Sequence, residues 1–191
     1  MIALGIDPGT ATTGYGIVKF SRKRRVLESS SLKVKIKKTN LQIVEYGCIK
    51  TTPDFSDAER LKMINDDLKK IIKKHNPEML AIENVFFFRN MKTALPVSQA
   101  KGVVMLTAAR KKMPIYEFTP LQVKMIIGGH GWTKKAKIQE IIKDVFKLEE
   151  IPRPNDASDA IGIAICGALK QCYYKRPPKD KIKEEKKVKK A

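Results

Sequence analysis

Apolar residues along this chain fall into short runs that predict β-strands and longer stretches with helical spacing. The runs at 2–7, 14–20 and 41–51 come in succession before any helical pattern, which is typical of antiparallel strands in a meander. Two more short runs, 79–83 and 114–118, each follow a stretch with the helical period. We therefore predict five strands.

The longer stretches predict helices. Ser56 and Glu59 have the spacing of a capping box, and Pro77 predicts the end of the helix that follows. The apolar stripe of that helix is Leu61, Ile64, Leu68, Ile71 and Ile72. Further helices are predicted at 98–112, after Thr133 as N-cap, and from about 156 to 172. Three leading strands followed by alternating helices and strands predict an α/β domain with a mixed sheet.

The net charge and its distribution along the chain indicate a class of binding partner. The chain has 191 residues and a net charge of +19, of which +8 falls on residues 19–38 and +6 on residues 175–191. A charge concentrated on two arms favours a polyanion such as DNA or RNA over a merely solvated surface. An anionic membrane is a weaker alternative, because neither arm has an apolar face. We predict one domain over 1–174, with a basic hairpin insertion at about 21–43, and a disordered lysine-rich tail over 175–191.

The expected compartment is the cytoplasm. No apolar stretch reaches the length of a membrane span, and no signal-like region follows the N-terminus. The three cysteines are too few and too irregularly spaced for a disulfide framework or a zinc site.

Four carboxylates carry the candidate chemistry. Asp7 and Glu83 each close an apolar strand, while Asp156 and Asp159 open the last helix, three residues apart. Singly, each has an ordinary explanation: a turn former, a salt bridge to a lysine, or a helix cap. Together they favour a cluster that binds Mg²⁺, with Mn²⁺ as a substitute, because hard divalent ions prefer oxygen ligands. Two such ions would activate water and stabilise the leaving oxygen at a phosphodiester.

The motifs around these acids resemble those of the RuvC-type Holliday-junction resolvases. The matching segments are Gly5-Ile6-Asp7-Pro8-Gly9-Thr10, Gly14-Tyr15-Gly16, Ala81-Ile82-Glu83-Asn84-Val85-Phe86, Ser98-Gln99-Ala100-Lys101-Gly102 and Asp156-Ala157-Ser158-Asp159-Ala160. The resemblance covers residues 1–20 and about 44–172, and the basic insertion and the tail depart from it. It implies an RNase H-like fold and a homodimer that nicks opposed strands of a four-way DNA junction, with a branch-migration motor as a further partner.

The predicted helix at 98–112 is the expected place for part of the dimer interface. Its small residues permit a second helix to approach closely; they are Ala100, Gly102, Ala108 and Ala109.

The same resemblance implies roles for individual residues. Asp7, Glu83, Asp156 and Asp159 match the catalytic acids and metal ligands, and Lys135 matches a lysine of the active site. Contacts to DNA are implied for Phe86, Arg89, Lys124, Lys134 and Lys135. A ring beside cations, as at Phe86, suits base stacking. Trp132 stays open between stacking and packing, and His130 stays open between a proton shuttle, a phosphate contact and neither role.

Three alternatives compete with junction cleavage. The first is an RNase H-like nuclease that acts on RNA or on flapped DNA with the same acids. The second is an actin-like sugar kinase, whose first phosphate loop resembles residues 5–10, although this chain lacks the second loop. The third is a DNA-binding protein that does not cleave, which the presence of all four acids disfavours.

Overall fold

The computed structural model describes residues 1–21, 39–84 and 91–173. The strands are β1 (Ile2–Asp7), β2 (Thr12–Phe20), β3 (Leu41–Lys50), β4 (Met79–Glu83) and β5 (Ile115–Phe118). The helices are α1 (Asp57–His75), α2 (Met91–Arg110), α3 (Pro120–Gly128), α4 (Lys135–Phe146) and α5 (Asn155–Tyr173). Phe86, Arg89, most of the basic insertion and the tail lie outside the described residues.

The five strands form one mixed sheet, as the sequence predicts, and their order is β3-β2-β1-β4-β5. β1 pairs antiparallel with β2 and parallel with β4, and β4 pairs parallel with β5. Residues 41–43, which the predicted insertion includes, are already part of β3 and pair with β2. Within the described residues, no helix combines the length and the apolar character needed to cross a bilayer.

Helices cover both faces of the sheet. On one face, Leu4, Ile6 and Leu80 pack against apolar residues of α1 and α2, such as Leu68 and Val104. On the other face, residues of β2, β4 and β5 pack against α3, α4 and α5; they are Val18, Ala81, Phe118, Ile127, Ile142 and Ile161. The sheet is thus the middle of three layers, and β1 is its central strand.

Two helix starts differ from the prediction. α2 begins at Met91 rather than at 98, and it contains Pro96. Proline inside a helix removes one hydrogen bond, so its presence in a sequence usually indicates a helix boundary. The sequence prediction therefore omitted the first turns of α2, from Met91 to 97. Thr133 is not the N-cap of α4: the cap position is Lys134, without a side-chain cap bond, and the Thr133 hydroxyl bonds to His130 instead. The capping box of α1 and its end at His75 are confirmed.

The short helix α3 is not among the predicted elements. Thr119 and Gln122 form a capping box around its start, and Pro120 lies at the first helical position. Both are helix-start signals that a sequence can carry. α3 covers part of the core beside α5 and carries Lys124 on a half-buried position.

Candidate active site

Asp7 and Glu83 meet at one edge of the sheet because their strands run in parallel. In the β1–β4 ladder Ile6 is opposite Ile82, so the next residues, Asp7 and Glu83, are neighbours where both strands end. Parallel strands bring their carboxyl ends to the same edge. The prediction that each of these acids closes an apolar strand is therefore matched by the fold, which also makes the two strands neighbours.

α5 brings the other two acids to that edge by packing very close to β1 and β2. Gly14 is opposite Asp7 in the β1–β2 ladder, and a Cβ atom on Gly14 would lie 2.1 Å from the Asp156 carbonyl oxygen. Only glycine permits this approach. Asp156 and Asp159 are one helical turn apart, so both face the ends of the strands.

The charges of the four acids act on one another. The pKa of Asp7 rises from 3.8 to about 8, mainly because burial removes hydration, and the charges of Glu83, Asp159 and Asp156 add to the rise. Burial likewise raises the pKa of Glu83, although a hydrogen bond with Asp7 and the charge of Lys135 oppose it. Asp7 and Glu83 therefore interact directly, and the pKa values of both carboxyl groups lie above their usual range.

Lys135 is the one predicted lysine that contacts an acid of the cluster. Its Nζ atom lies 2.5 Å from Oδ2 of Asp159, across the junction between α4 and α5. Burial lowers the pKa of Lys135, but the hydrogen bond and charge of Asp159 outweigh that effect and raise it. Lys134 is exposed next to it, and Lys124 is half-buried in α3. Their contacts with DNA stay predictions.

The donor set suits a hard divalent cation. Four carboxylates supply only oxygen ligands, and their mutual repulsion at Asp7 is what a bound cation would relieve. In the described part of the chain, however, no three acid, histidine or cysteine side chains are grouped so that they could hold an ion. Asp7 is paired with Glu83, and Asp159 is paired with Lys135. Metal binding would therefore require these side chains to turn away from their present partners.

The sequence prediction did not include the residues that support the acids. Lys101, on α2, donates from Nζ to Oδ1 of Asn84 at 2.8 Å and to Oε2 of Glu117 at 2.5 Å. Asn84 follows Glu83 directly, so Lys101 ties the ends of β4 and β5 together beside the four acids. Lys101 belongs to the motif Ser98-Gln99-Ala100-Lys101-Gly102, on which the family resemblance partly rests. Its place in that motif is the sequence feature that could have indicated a role near the acids.

Two hydroxyl groups fix the loop after Asp7. Thr13 Oγ1 donates to the Gly9 carbonyl at 2.5 Å, and Thr51 Oγ1 donates to the Thr10 carbonyl at 2.6 Å. The Nε atom of Arg60 in turn donates to Thr51 Oγ1 at 2.9 Å. The turn that follows the acid is thus held from both β2 and α1.

Comparisons with known proteins agree with this architecture. Residues 3–167 match the family model described as "Crossover junction endodeoxyribonuclease RuvC". A protein of that name from Pelotomaculum thermopropionicum is 44% identical over 168 residues, which cover 88% of this chain and 93% of the relative. One from Fusobacterium nucleatum is 41% identical over 165 residues, covering 86% of this chain and 78% of the relative.

A solved structure extends the match to three dimensions. The Thermus thermophilus RuvC structure superposes with a TM-score of 0.77 at 29% identity and covers 90% of this chain and 95% of its own. Sequence identity and the three-dimensional superposition thus agree over most of the chain. The chain belongs to the RuvC family of crossover junction endodeoxyribonucleases.

Proposed function

We propose that this chain is a structure-selective endonuclease that resolves four-way (Holliday) DNA junctions in recombination and repair. The observation that carries the proposal is the convergence of Asp7, Glu83, Asp156 and Asp159 at one edge of the sheet, within a chain of net charge +19. A Thermus thermophilus relative, 26% identical over 90% of this chain, has been solved in complex with a Holliday junction substrate.

The proposed chemistry is hydrolysis of a phosphodiester bond. The family is one of metal-dependent nucleases, and we propose Mg²⁺ as the ion, with Mn²⁺ as a substitute and two ions per site. When bound, the ions supply an activated water and charge stabilisation at the phosphate. Asp7, Glu83, Asp156 and Asp159 would hold them. Asp7 and Glu83, at the ends of rigid buried strands, orient their carboxylates with little loss of freedom.

Lys135 is proposed to hold the scissile phosphate in position. Its contact with Asp159 shows that the ammonium group reaches the acid cluster, and that group would become free for a phosphate oxygen when Asp159 holds a cation instead. An ammonium group can donate to a non-bridging phosphate oxygen and stabilise the negative charge that develops there. Phe86, Arg89, Lys124 and Lys134 are proposed to contact the junction arms and the crossover.

A homodimer would present two such sites to opposed strands, and α2 is the proposed interface. Leu95, Gln99, Gly102, Leu106 and Ala109 are exposed and share one stripe of this helix. Leu95 is 64% exposed and Leu106 is 53% exposed, while a Cβ atom on Gly102 would meet nothing within 4 Å. An apolar stripe with a central glycine suits close helix approach in a two-fold interface.

The structure changes which small residues of α2 are available to a second helix. Ala100 and Ala108, two of those expected to permit helix approach, are buried in the core of the subunit. Gly102 and Ala109 are the small residues on the exposed stripe. Leu106→Glu should convert a dimer to a monomer in sedimentation, whereas Lys73→Glu on the exposed side of α1 should not. A wild-type chain that sediments as a monomer with and without junction DNA would contradict the dimer.

Cleavage assays test the function itself. A mobile four-way junction, a duplex, a flap and an RNA–DNA hybrid are incubated with the protein and Mg²⁺, and products are mapped on each strand. We expect paired nicks in opposed strands of the junction. Asp7→Asn should bind the junction and leave it intact, while Asp67→Asn, a partly exposed acid on α1, should cleave normally. Equal cleavage of duplex, flap or hybrid would contradict junction selectivity.

The same assay separates the proposed DNA contacts. Phe86→Ala should lower junction cleavage strongly and the melting temperature little, because the ring is proposed to stack on a base, a contact that contributes roughly 1–3 kcal/mol to binding.

We place the protein in the cytoplasm with its DNA, and a branch-migration motor is the proposed partner there. Co-purification of the motor with wild-type protein would test that partnership.

A further inference from the structure

An exposed aromatic pair lies in the loop between α3 and α4. Trp132 is 81% exposed, and its ring stacks on the ring of His130 with centroids 4.5 Å apart and planes at 11°. Histidine covers one face of the indole ring, which leaves the other face open to solvent. An exposed indole with one covered face is a flat apolar surface of about the size of a base.

The pair is held in one orientation by the loop. The buried Thr133 donates its hydroxyl hydrogen to the His130 carbonyl at 2.7 Å, and the same oxygen lies 2.9 Å from Nδ1 of His130. The Thr133 hydroxyl is therefore within hydrogen-bonding distance of both the backbone carbonyl and the ring of His130. Both ends of the histidine are therefore tied to Thr133. A preorganised ring loses little freedom when a ligand stacks on it.

The loop rests on an apolar patch formed by α3. A Cβ atom on Gly131 would lie 2.3 Å from Cδ1 of Leu121 and 3.9 Å from Cγ of Met125. Leu121 is 56% exposed and Met125 is 48% exposed, so the loop only partly covers them. Leu121, Met125 and Trp132 are thus three exposed apolar side chains linked through Gly131, and we call them the Trp132 patch.

Several lysines lie close in sequence to the Trp132 patch, and one of them, Lys135, reaches the acid cluster. Lys134 and Lys137 are exposed, and Lys124 lies one residue before Met125 on α3. Lys135 follows Trp132 by three residues, so their Cα atoms are at most about 10 Å apart. Lys135 itself contacts Asp159. An aromatic surface among lysines and next to a phosphodiesterase site fits a nucleic-acid strand better than an apolar protein partner, which cations would not attract.

We propose that Trp132, backed by His130, is a stacking site for a nucleobase of the DNA substrate on the strand next to the scissile phosphate. The inference rests on the proposed function. The base stacks on the open face of the indole ring, and the surrounding lysines hold the flanking phosphates. The site adds affinity and fixes the position of the strand, and it tolerates any base because every base has an apolar face.

The chain contains a single tryptophan, so its fluorescence reports on Trp132 alone. The wild-type protein is titrated with a four-way junction in the presence of a chelator, so that no strand is cut. We expect quenching of the indole with the same midpoint as binding measured by anisotropy of labelled DNA. A fluorescent adenine analogue, moved one nucleotide at a time along the strands, should respond at one position near the crossover.

Variants separate stacking from other roles. Trp132→Ala should weaken junction binding by about 5- to 150-fold, the equivalent of the loss of one stacked base. Trp132→Phe should recover more of the affinity than Trp132→Leu, because leucine keeps apolar area without a ring. Tyr46→Ala, an exposed aromatic in the middle of β3, is the matched control and should bind as the wild type does. An unchanged melting temperature for Trp132→Ala shows that the variant is folded.

The failures of the two proposals are distinguishable. If the wild type cuts no junction, the proposed function is wrong, and the fluorescence titration still decides whether DNA covers Trp132. If the wild type cuts junctions while Trp132 fluorescence stays unchanged on binding, or if Trp132→Ala binds as tightly as the wild type, the stacking site is wrong. Equal affinities of the phenylalanine and leucine variants would likewise overturn it in favour of a simple apolar contact.

Discussion

Asp7 is the residue at which folding and pH are coupled, and it is one of the proposed metal ligands. Its carboxyl group has a pKa of 3.8 in an exposed chain and about 8 in the folded protein. Between these values the folded protein keeps a proton that the unfolded chain has released. The metal-free protein therefore loses stability as pH rises through this interval. This pH dependence of stability arises mainly from the burial of the Asp7 carboxyl group.

We expect Asp7→Asn to remove most of that pH dependence, because asparagine stays neutral. Measured by urea unfolding in a chelator, the variant should become more stable than the wild type near pH 8 by at least about 1 kcal/mol, since one pKa unit is worth about 1.4 kcal/mol. Asp67→Asn should follow the wild type. Parallel curves for wild type and Asp7→Asn would contradict the raised pKa. Mg²⁺ should stabilise the wild type more at high pH than at low pH, because it competes with the proton.

Ser158 lies between two of the acids but carries an unsatisfied group. Its side chain is fully buried, and its Oγ atom has no hydrogen-bond partner among the described residues. Ser158→Ala should raise the free energy of unfolding by about 1 kcal/mol or more, because it removes an unpaired polar group. The matched control is Thr107→Val. The Thr107 hydroxyl is bonded to Asn65 and Val103, so this change should destabilise the protein. If both variants changed the free energy of unfolding in the same direction, the Ser158 hydroxyl would not be an unsatisfied buried group.

At the scale of elements, Lys101 links the end of β4 to the end of β5. Only 14% of its side chain is exposed, and both of its partners lie at the edge of the sheet that carries Asp7 and Glu83. Lys101→Met keeps the apolar stem but removes the charge and both hydrogen bonds, so the free energy of unfolding should fall by about 1 kcal/mol. The cleavage rate should fall by a larger factor than this loss of stability explains, because Asn84, next to Glu83, is no longer held in place. Lys70→Met, which removes an exposed pair with Asp67, should change neither by much. Unchanged cleavage in folded Lys101→Met would remove Lys101 from the support of the site.

The elements also show which parts of the site the sequence could predict. The strands are predictable because their apolar runs are short and bounded by turns, and the meeting of Asp7 with Glu83 follows from strand ends in a mixed sheet. Lys135 and Asp159 are 24 residues apart in the chain, and their contact depends on how α4 packs against α5. No local pattern encodes that packing. Likewise, Thr133 has the residue type of an N-cap, and only the loop conformation turns its hydroxyl to His130.

At the scale of the whole molecule, charge is divided between a mildly basic domain and basic segments. The four acids lie in the domain, whereas residues 175–191, outside the described part, contribute +6 of the net +19. Lysines bind phosphates without regard to sequence or junction shape. The tail should therefore strengthen binding to every DNA alike, while the domain decides where the strand is cut.

Deletion of residues 175–191 tests this division. The log–log salt slope of binding should become shallower by about 0.9 for each duplex phosphate that the tail no longer neutralises. Duplex and junction affinities should fall by similar factors, because the lysines of the tail read neither base sequence nor junction shape. The cleavage rate at saturating protein should stay the same, since Asp7, Glu83, Asp156 and Asp159 remain. A scrambled tail of equal charge should restore the wild-type slope, whereas a neutral tail of equal length should not. A slope unaffected by deletion, or a scrambled tail that fails to restore binding, would show that the tail recognises something more specific than phosphate charge.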